Sequence, residues 1–190
     1  MIKTILYFHG FASSSNSDKA KILKSYIQKI SKKVKIFTPD LSNNFNEASN
    51  QINQLIKDNE RNFVFMGSSL GGYYANFYAS ICNSKAILIN PAIPPLSGFE
   101  QYLGENENYL TGEKFTINEN DINFIRSLKV EKFKNHENTL VLLESGDEVL
   151  NYIDTIKYFK GSSIDVTFGG CHSYESIEKK LQKIKNFLKI

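Results

Sequence analysis

At 190 residues the chain has room for one domain with a sizeable core and is short for two. Its 41% hydrophobic and 23% charged residues are ordinary for a soluble globular protein. A net charge of +3, with lysines scattered rather than clustered with aromatics, leaves no footprint for nucleic acid.

In chain order, short β-rich runs alternate with helical patterns. Ile2–Phe8 reads as a buried strand. Ser17 or Asp18 can cap a helix to about Ser31, with Ile22, Leu23, Tyr26, Ile27 and Ile30 on one face. Val34–Thr38 is a second strand, closed by Pro39-Asp40, and Glu47–Glu60 a helix with Ile52, Leu55 and Ile56 inward. Phe63–Met66 is a third strand leading into a helix over Leu70–Cys82, and Ala86–Ile89 a fourth, ended by Asn90-Pro91. Thr139–Leu143, a helix over Val149–Phe159, a strand over Ser163–Phe168 and a last helix from about Ser173 complete the series. Ile177, Leu181, Ile184 and Leu188 give that helix its apolar stripe; the lysines opposite read as a solvated face.

Continuous apolar strands between helices predict a doubly wound, mainly parallel six-stranded sheet covered on both faces. One stretch, residues 92–138, breaks the rhythm with Pro94-Pro95, three glycines and many polar residues. It is too long for a plain connection and predicts a small cap-like excursion of a single domain, over the strand C-terminal ends. Its opening, Ala92 to Leu96 with Phe99, could wall the site or merely cover the sheet edge. Cys82 and Cys171 form no disulfide framework and no CxxC metal spacing, which fits reduced thiols in a cytoplasmic protein. The N-terminal apolar run ends at His9-Gly10 without a cleavage site, so no signal peptide is expected, and no run approaches a membrane span of about 20 residues.

Gly67-Ser68-Ser69-Leu70-Gly71 fits G-x-S-x-G between a strand and a helix, the setting of a nucleophile elbow. Small residues at the flanking positions keep strand and helix from colliding at a strained turn. Ser69 is therefore the expected nucleophile; Ser68 lacks glycines at both offsets. Of three histidines, His172 follows the sixth strand and is the expected base, whereas His136 reads as a solvated loop residue. Asp147, just past the fifth strand in Gly146-Asp147-Glu148, is the expected acid; Glu148 is its rival, and a plain helix cap is the alternative role. The order Ser69, Asp147, His172 is that of α/β-hydrolases. Backbone N–H groups of Leu70 and Phe11 are the expected oxyanion donors. Gly10 lets the backbone approach the substrate closely, and His9 beside it is expected either at the substrate or fixing the loop. Tyr73 and Tyr74 are expected in the core.

Several stretches resemble the YqiA-type esterases, small bacterial members of the α/β-hydrolase superfamily. They are Tyr7-Phe8-His9-Gly10-Phe11, the run from Gly67 to Ala75, Asn90-Pro91-Ala92, the run from Tyr102 to Asn108 with Thr111-Gly112, Gly146 to Leu150, and Gly169-Gly170 with His172. The resemblance spans nearly the whole chain. It implies a compact hydrolase whose sheet begins at the superfamily's third strand, acting on acyl esters or thioesters, and it puts the nucleophile, acid and base on Ser69, Asp147 and His172. Cys171 departs from the pattern, where a polar residue such as Asn precedes the histidine; an inert thiol is expected there. The expected activity is cleavage of small-molecule carboxylic esters through an acyl-enzyme, with no cofactor and no metal. A thioesterase would use the same residues. A non-catalytic binding protein would have no use for a strained serine with a base and acid in order.

Overall fold

The computed structural model describes residues 2–59, 62–130 and 132–190. Six strands form one sheet: β1 (Thr4–Phe8), β2 (Lys35–Phe37), β3 (Phe63–Ser69), β4 (Lys85–Pro91), β7 (Thr139–Glu144) and β8 (Ser163–Thr167). Their order is β2-β1-β3-β4-β7-β8, with every pairing parallel. The expected α/β architecture is therefore present.

Alternation along the strands builds two cores. Ile5, Tyr7, Val64, Met66, Ile87, Ile89, Leu140 and Leu142 face α1 (Asp18–Ile30) and α6 (Ile177–Leu188). Leu6, Phe8, Phe65, Leu88, Val141 and Leu143 face the other way, against α2 (Phe45–Asp58) and α3 (Leu70–Ile81). With both faces buried, the strands read as continuous apolar runs, and only the period of two separates the cores. Tyr73 and Tyr74 are buried on α3, as expected of core residues.

Element ends differ from the sequence expectation for local reasons. Ser17 sits at the N-cap of α1, but its side chain makes no capping bond. Asn44 accepts from the N–H groups of Asn46 and Glu47, so α2 starts at Phe45 rather than Glu47; Glu60, its expected last residue, lies outside the described residues. α5 (Tyr152–Tyr158) starts three residues late because the Asp147 carboxylate takes the N–H groups of Val149 and Leu150, leaving Asn151 to cap the helix. α6 begins at Ile177 rather than about Ser173, after an irregular segment in which Tyr174 has φ 55°.

Between β4 and β7 the chain is more regular than its composition implies. An antiparallel pair, β5 (Gly104–Glu107) and β6 (Lys114–Ile117), is followed by α4 (Glu119–Ser127), which starts from a capping box of Asn118 and Asp121. His136, expected in solvent, is half-buried and packs edge-on against Phe133 at 4.8 Å. Among the described residues no helix is long and apolar enough to cross a membrane.

Candidate active site

The predicted site residues converge at the carboxyl ends of neighbouring strands. Ser69 is the last residue of β3 and the cap of α3, with φ 55° and ψ −122°. A residue with a side chain adopts that conformation at a cost of about 1–3 kcal/mol. The flanking glycines make the turn possible: a Cβ on Gly67 would lie 2.0 Å from the Gly71 carbonyl oxygen, and one on Gly71 would lie 2.1 Å from that of Phe8. The β3–β4 register slips between Ser68 and Ser69, and the Ala92 N–H donates to the Ser69 carbonyl at 3.0 Å.

Ser69 Oγ stands 2.9 Å from His172 Nε2, and His172 Nδ1 is 2.9 Å from each oxygen of Asp147. A carboxylate only accepts, so Nδ1 carries the proton and Nε2 is left to accept from the Ser69 hydroxyl. The Asp147 side chain is 2% exposed and the His172 side chain 20%. Asp147 Oδ1 also accepts from Val149 N–H at 2.9 Å and Leu150 N–H at 2.8 Å. It thus organises its own turn and the His172 ring together. Glu148, the rival candidate for the acid, reaches the backbone of His172 rather than its ring. Its Oε2 accepts from the His172 N–H at 2.9 Å, and that bond holds its carboxyl below the usual carboxylate range.

Gly10 lies against Ser69; a Cβ there would be 3.4 Å from Ser69 Cβ. Among the described residues no acceptor within the protein engages the Phe11 N–H. His9, expected either at the substrate or fixing the loop, directly follows β1. It is buried, and both ring nitrogens are occupied: Nδ1–H donates to the Gly10 carbonyl at 2.9 Å, and Nε2 accepts from Leu41 N–H at 3.0 Å. Burial holds the ring below the ordinary histidine pKa, against the opposing pull of the Gly10 carbonyl and Asp40. His9 thus fixes the loop that presents Gly10 and Phe11.

A cavity of about 740 Å³ opens beside Ser69 and His172, walled by Phe11, Ile93, Leu96, Phe99, Tyr102 and Leu150. The Phe11 ring is the hub joining the loop after β1 to the 92–138 segment, with ring centroids 4.6 Å from Tyr102 and 5.6 Å from both Phe99 and Phe115. Three features assigned no role from the sequence hold that wall. Arg126 on α4 donates to the carbonyls of Pro95 and Leu96 and pairs with Glu100 at 2.7 Å. Buried Asn108 donates to the Ser13 carbonyl at 2.9 Å. Beside it, Tyr109 N–H donates to the Ala12 carbonyl at 2.8 Å. Among the described residues, no group of three or more His, Cys, Asp and Glu side chains is placed to hold a metal ion.

Comparison with known proteins agrees with this fold. The model of an uncharacterised protein family, UPF0227, matches residues 4–189. The UPF0227 protein YcfP of Escherichia coli is 25% identical over 191 residues, covering 96% of this chain and 97% of that protein. Among solved structures, mouse alpha/beta hydrolase domain-containing protein 10 superposes with a TM-score of 0.74 at 17% identity, over 98% of this chain and 89% of that one. The esterase domain of a Rhodothermus marinus protein superposes with a TM-score of 0.72 at 15% identity, over 97% and 85% of the two chains. At these identities the structural likeness establishes the α/β-hydrolase fold.

Proposed function

The chain belongs to the uncharacterised protein family UPF0227, the YqiA-type group its motifs resemble, and we propose that it is a serine hydrolase of carboxylic esters. The observation that carries this reading is the Ser69–His172–Asp147 relay, closed at 2.9 Å on a strained elbow beside an apolar cavity. Solved relatives in fold that include an esterase domain support the same reaction class.

In the proposed reaction His172 Nε2 takes the Ser69 proton as Oγ attacks the ester carbonyl. Asp147 stabilises the imidazolium that forms. The N–H groups of Leu70 and Phe11 receive the oxyanion; losing one such donor typically costs about 10²–10³ in turnover. His172 then protonates the departing alcohol, and a water activated by the same nitrogen releases the acid. The acyl group lies along the wall contributed by residues 92–102, and the 92–138 segment acts as the cap of a single domain. No metal or cofactor enters these steps. Cys82 and Cys171 are free thiols, in keeping with a cytoplasmic location.

Steady-state hydrolysis of p-nitrophenyl esters and acyl-CoAs of graded length, with Ser69→Ala as control, tests the proposal. Turnover lost in the variant and peaked at one chain length supports it. Turnover that survives in Ser69→Ala refutes it, and preference for the acyl-CoAs would make the leaving group a thiol.

A further inference from the structure

Glu144, the last residue of β7, is 1% exposed and takes no direct part in the relay. Its carboxylate is nevertheless surrounded by donors. Oε2 accepts from the Cys171 N–H at 2.8 Å, and Oε1 accepts from the Ser176 N–H at 3.1 Å and from the Ser176 hydroxyl. All three donors lie on residues 171–176, the segment that carries His172. That segment is neither strand nor helix, since β8 ends at Thr167 and α6 begins at Ile177. The Tyr174 N–H is met within the segment, by Cys171 O at 3.1 Å, whereas those of Cys171, His172 and Ser176 go to the carboxylates of Glu144 and Glu148.

Asn90, 2% exposed at the end of β4, grips the same segment by its carbonyls. Its Nδ2 donates to Cys171 O at 3.0 Å and His172 O at 3.2 Å, while its Oδ1 accepts from the Glu144 N–H at 2.9 Å. Gly170 shows how closely the loop is drawn in: its φ is 76°, and a Cβ there would lie 2.1 Å from Glu144 Oε2. Lys19 donates to the next carbonyl, Ser173 O. The Lys19 ammonium has its pKa lowered by burial, against the opposing pull of Cys171 and Glu144.

The geometry points to Glu144, coupled to Asn90, as a positioning residue that sets the His172 imidazole between Asp147 and Ser69; its catalytic consequence rests on the serine-hydrolase reading of that relay. A carboxylate suits the place because it only accepts. A glutamine would turn an NH₂ group toward an N–H or hydroxyl donor, and the loop would have to move away. A shift of about 1 Å in a reacting group can cost about 10²-fold in rate.

The test is Glu144→Gln, read in two ways. In the wild type the Nδ1–H of His172 is expected to give a downfield proton resonance from its bond to Asp147. The variant is expected to move or broaden that resonance. It is also expected to lower kcat by roughly 10- to 10²-fold with KM within about twofold. An unmoved resonance with unchanged kcat per folded molecule overturns the inference. Should Glu144→Gln not fold, Ser176→Ala carries the test, since it removes one donor only. A broadened resonance and a kcat fall of about threefold are then expected, and wild-type values for both overturn it. If the wild type neither turns over esters nor labels at Ser69, the hydrolase reading fails, while the resonance still decides whether Glu144 positions His172.

Discussion

Replacing Asp147 by Asn separates charge and tautomer from packing. The Val149 and Leu150 N–H groups sit 2.9 and 2.8 Å from Oδ1 and need an acceptor, so the Asn oxygen stays with them. Its NH₂ group is then turned toward His172 Nδ1, now 2.9 Å from Oδ2. Nδ1 must become the acceptor, and the ring proton moves to Nε2, which can no longer take the Ser69 proton. The corresponding exchange in serine proteases lowers turnover about 10⁴-fold. Here a loss of about 10³–10⁴ in kcat is expected, equivalent to about 4–5.5 kcal/mol of transition-state stabilisation. Because the turn keeps its acceptor, the melting temperature should stay near that of the wild type. The assay is p-nitrophenyl butyrate hydrolysis alongside thermal unfolding. A folded Asp147→Asn protein with kcat within about tenfold of wild type would refute the tautomer reasoning. Glu148→Gln keeps an oxygen toward the His172 N–H and should cost roughly threefold or less.

Four further outcomes follow from the geometry. Ser69→Gly removes a side chain from φ 55° and should raise stability by about 1 kcal/mol in denaturant unfolding while ending turnover; a destabilised variant would argue against stored strain. Arg126→Leu releases the carbonyls of Pro95 and Leu96 and should flatten the acyl-length profile by about tenfold at its optimum; an unchanged profile would show that the wall stands without it. Gly170→Ala places a Cβ 2.1 Å from Glu144 Oε2 at positive φ, so kcat and melting temperature should fall together. The His9 pKa is depressed in the folded state, so the unfolded chain binds the extra proton first. Stability should therefore fall as pH drops from about 6.5 toward the folded value, by at most about 1.4 kcal/mol per pH unit, and a variant such as His9→Asn should lose that component.

The relay was legible because each member follows a strong strand and sits beside glycine: Gly67 and Gly71 around Ser69, Gly146 before Asp147, Gly169-Gly170 before His172. The supporting groups gave no such signal. Glu144 reads as one more residue at the end of an apolar strand, and its partners lie 27 and 32 positions away. β5, Gly-Glu-Asn-Glu, is polar and largely exposed, so no alternation marks it. α4 did carry a sign, Asn118 three residues before Asp121 at the edge of an apolar pair, Ile122 and Ile125. The starts of α5 and α6 were misplaced for one reason: carboxylates of Asp147 and Glu144 take backbone N–H groups that helical periodicity assigns to the helix.

The nucleophile itself can be tested without knowing the substrate. Folded protein treated with a fluorophosphonate, digested and mapped by mass spectrometry, should carry one adduct on Ser69, slowed by His172→Ala and abolished by Ser69→Ala. An unlabelled folded protein, or an adduct on Ser68 instead, would contradict the proposed relay.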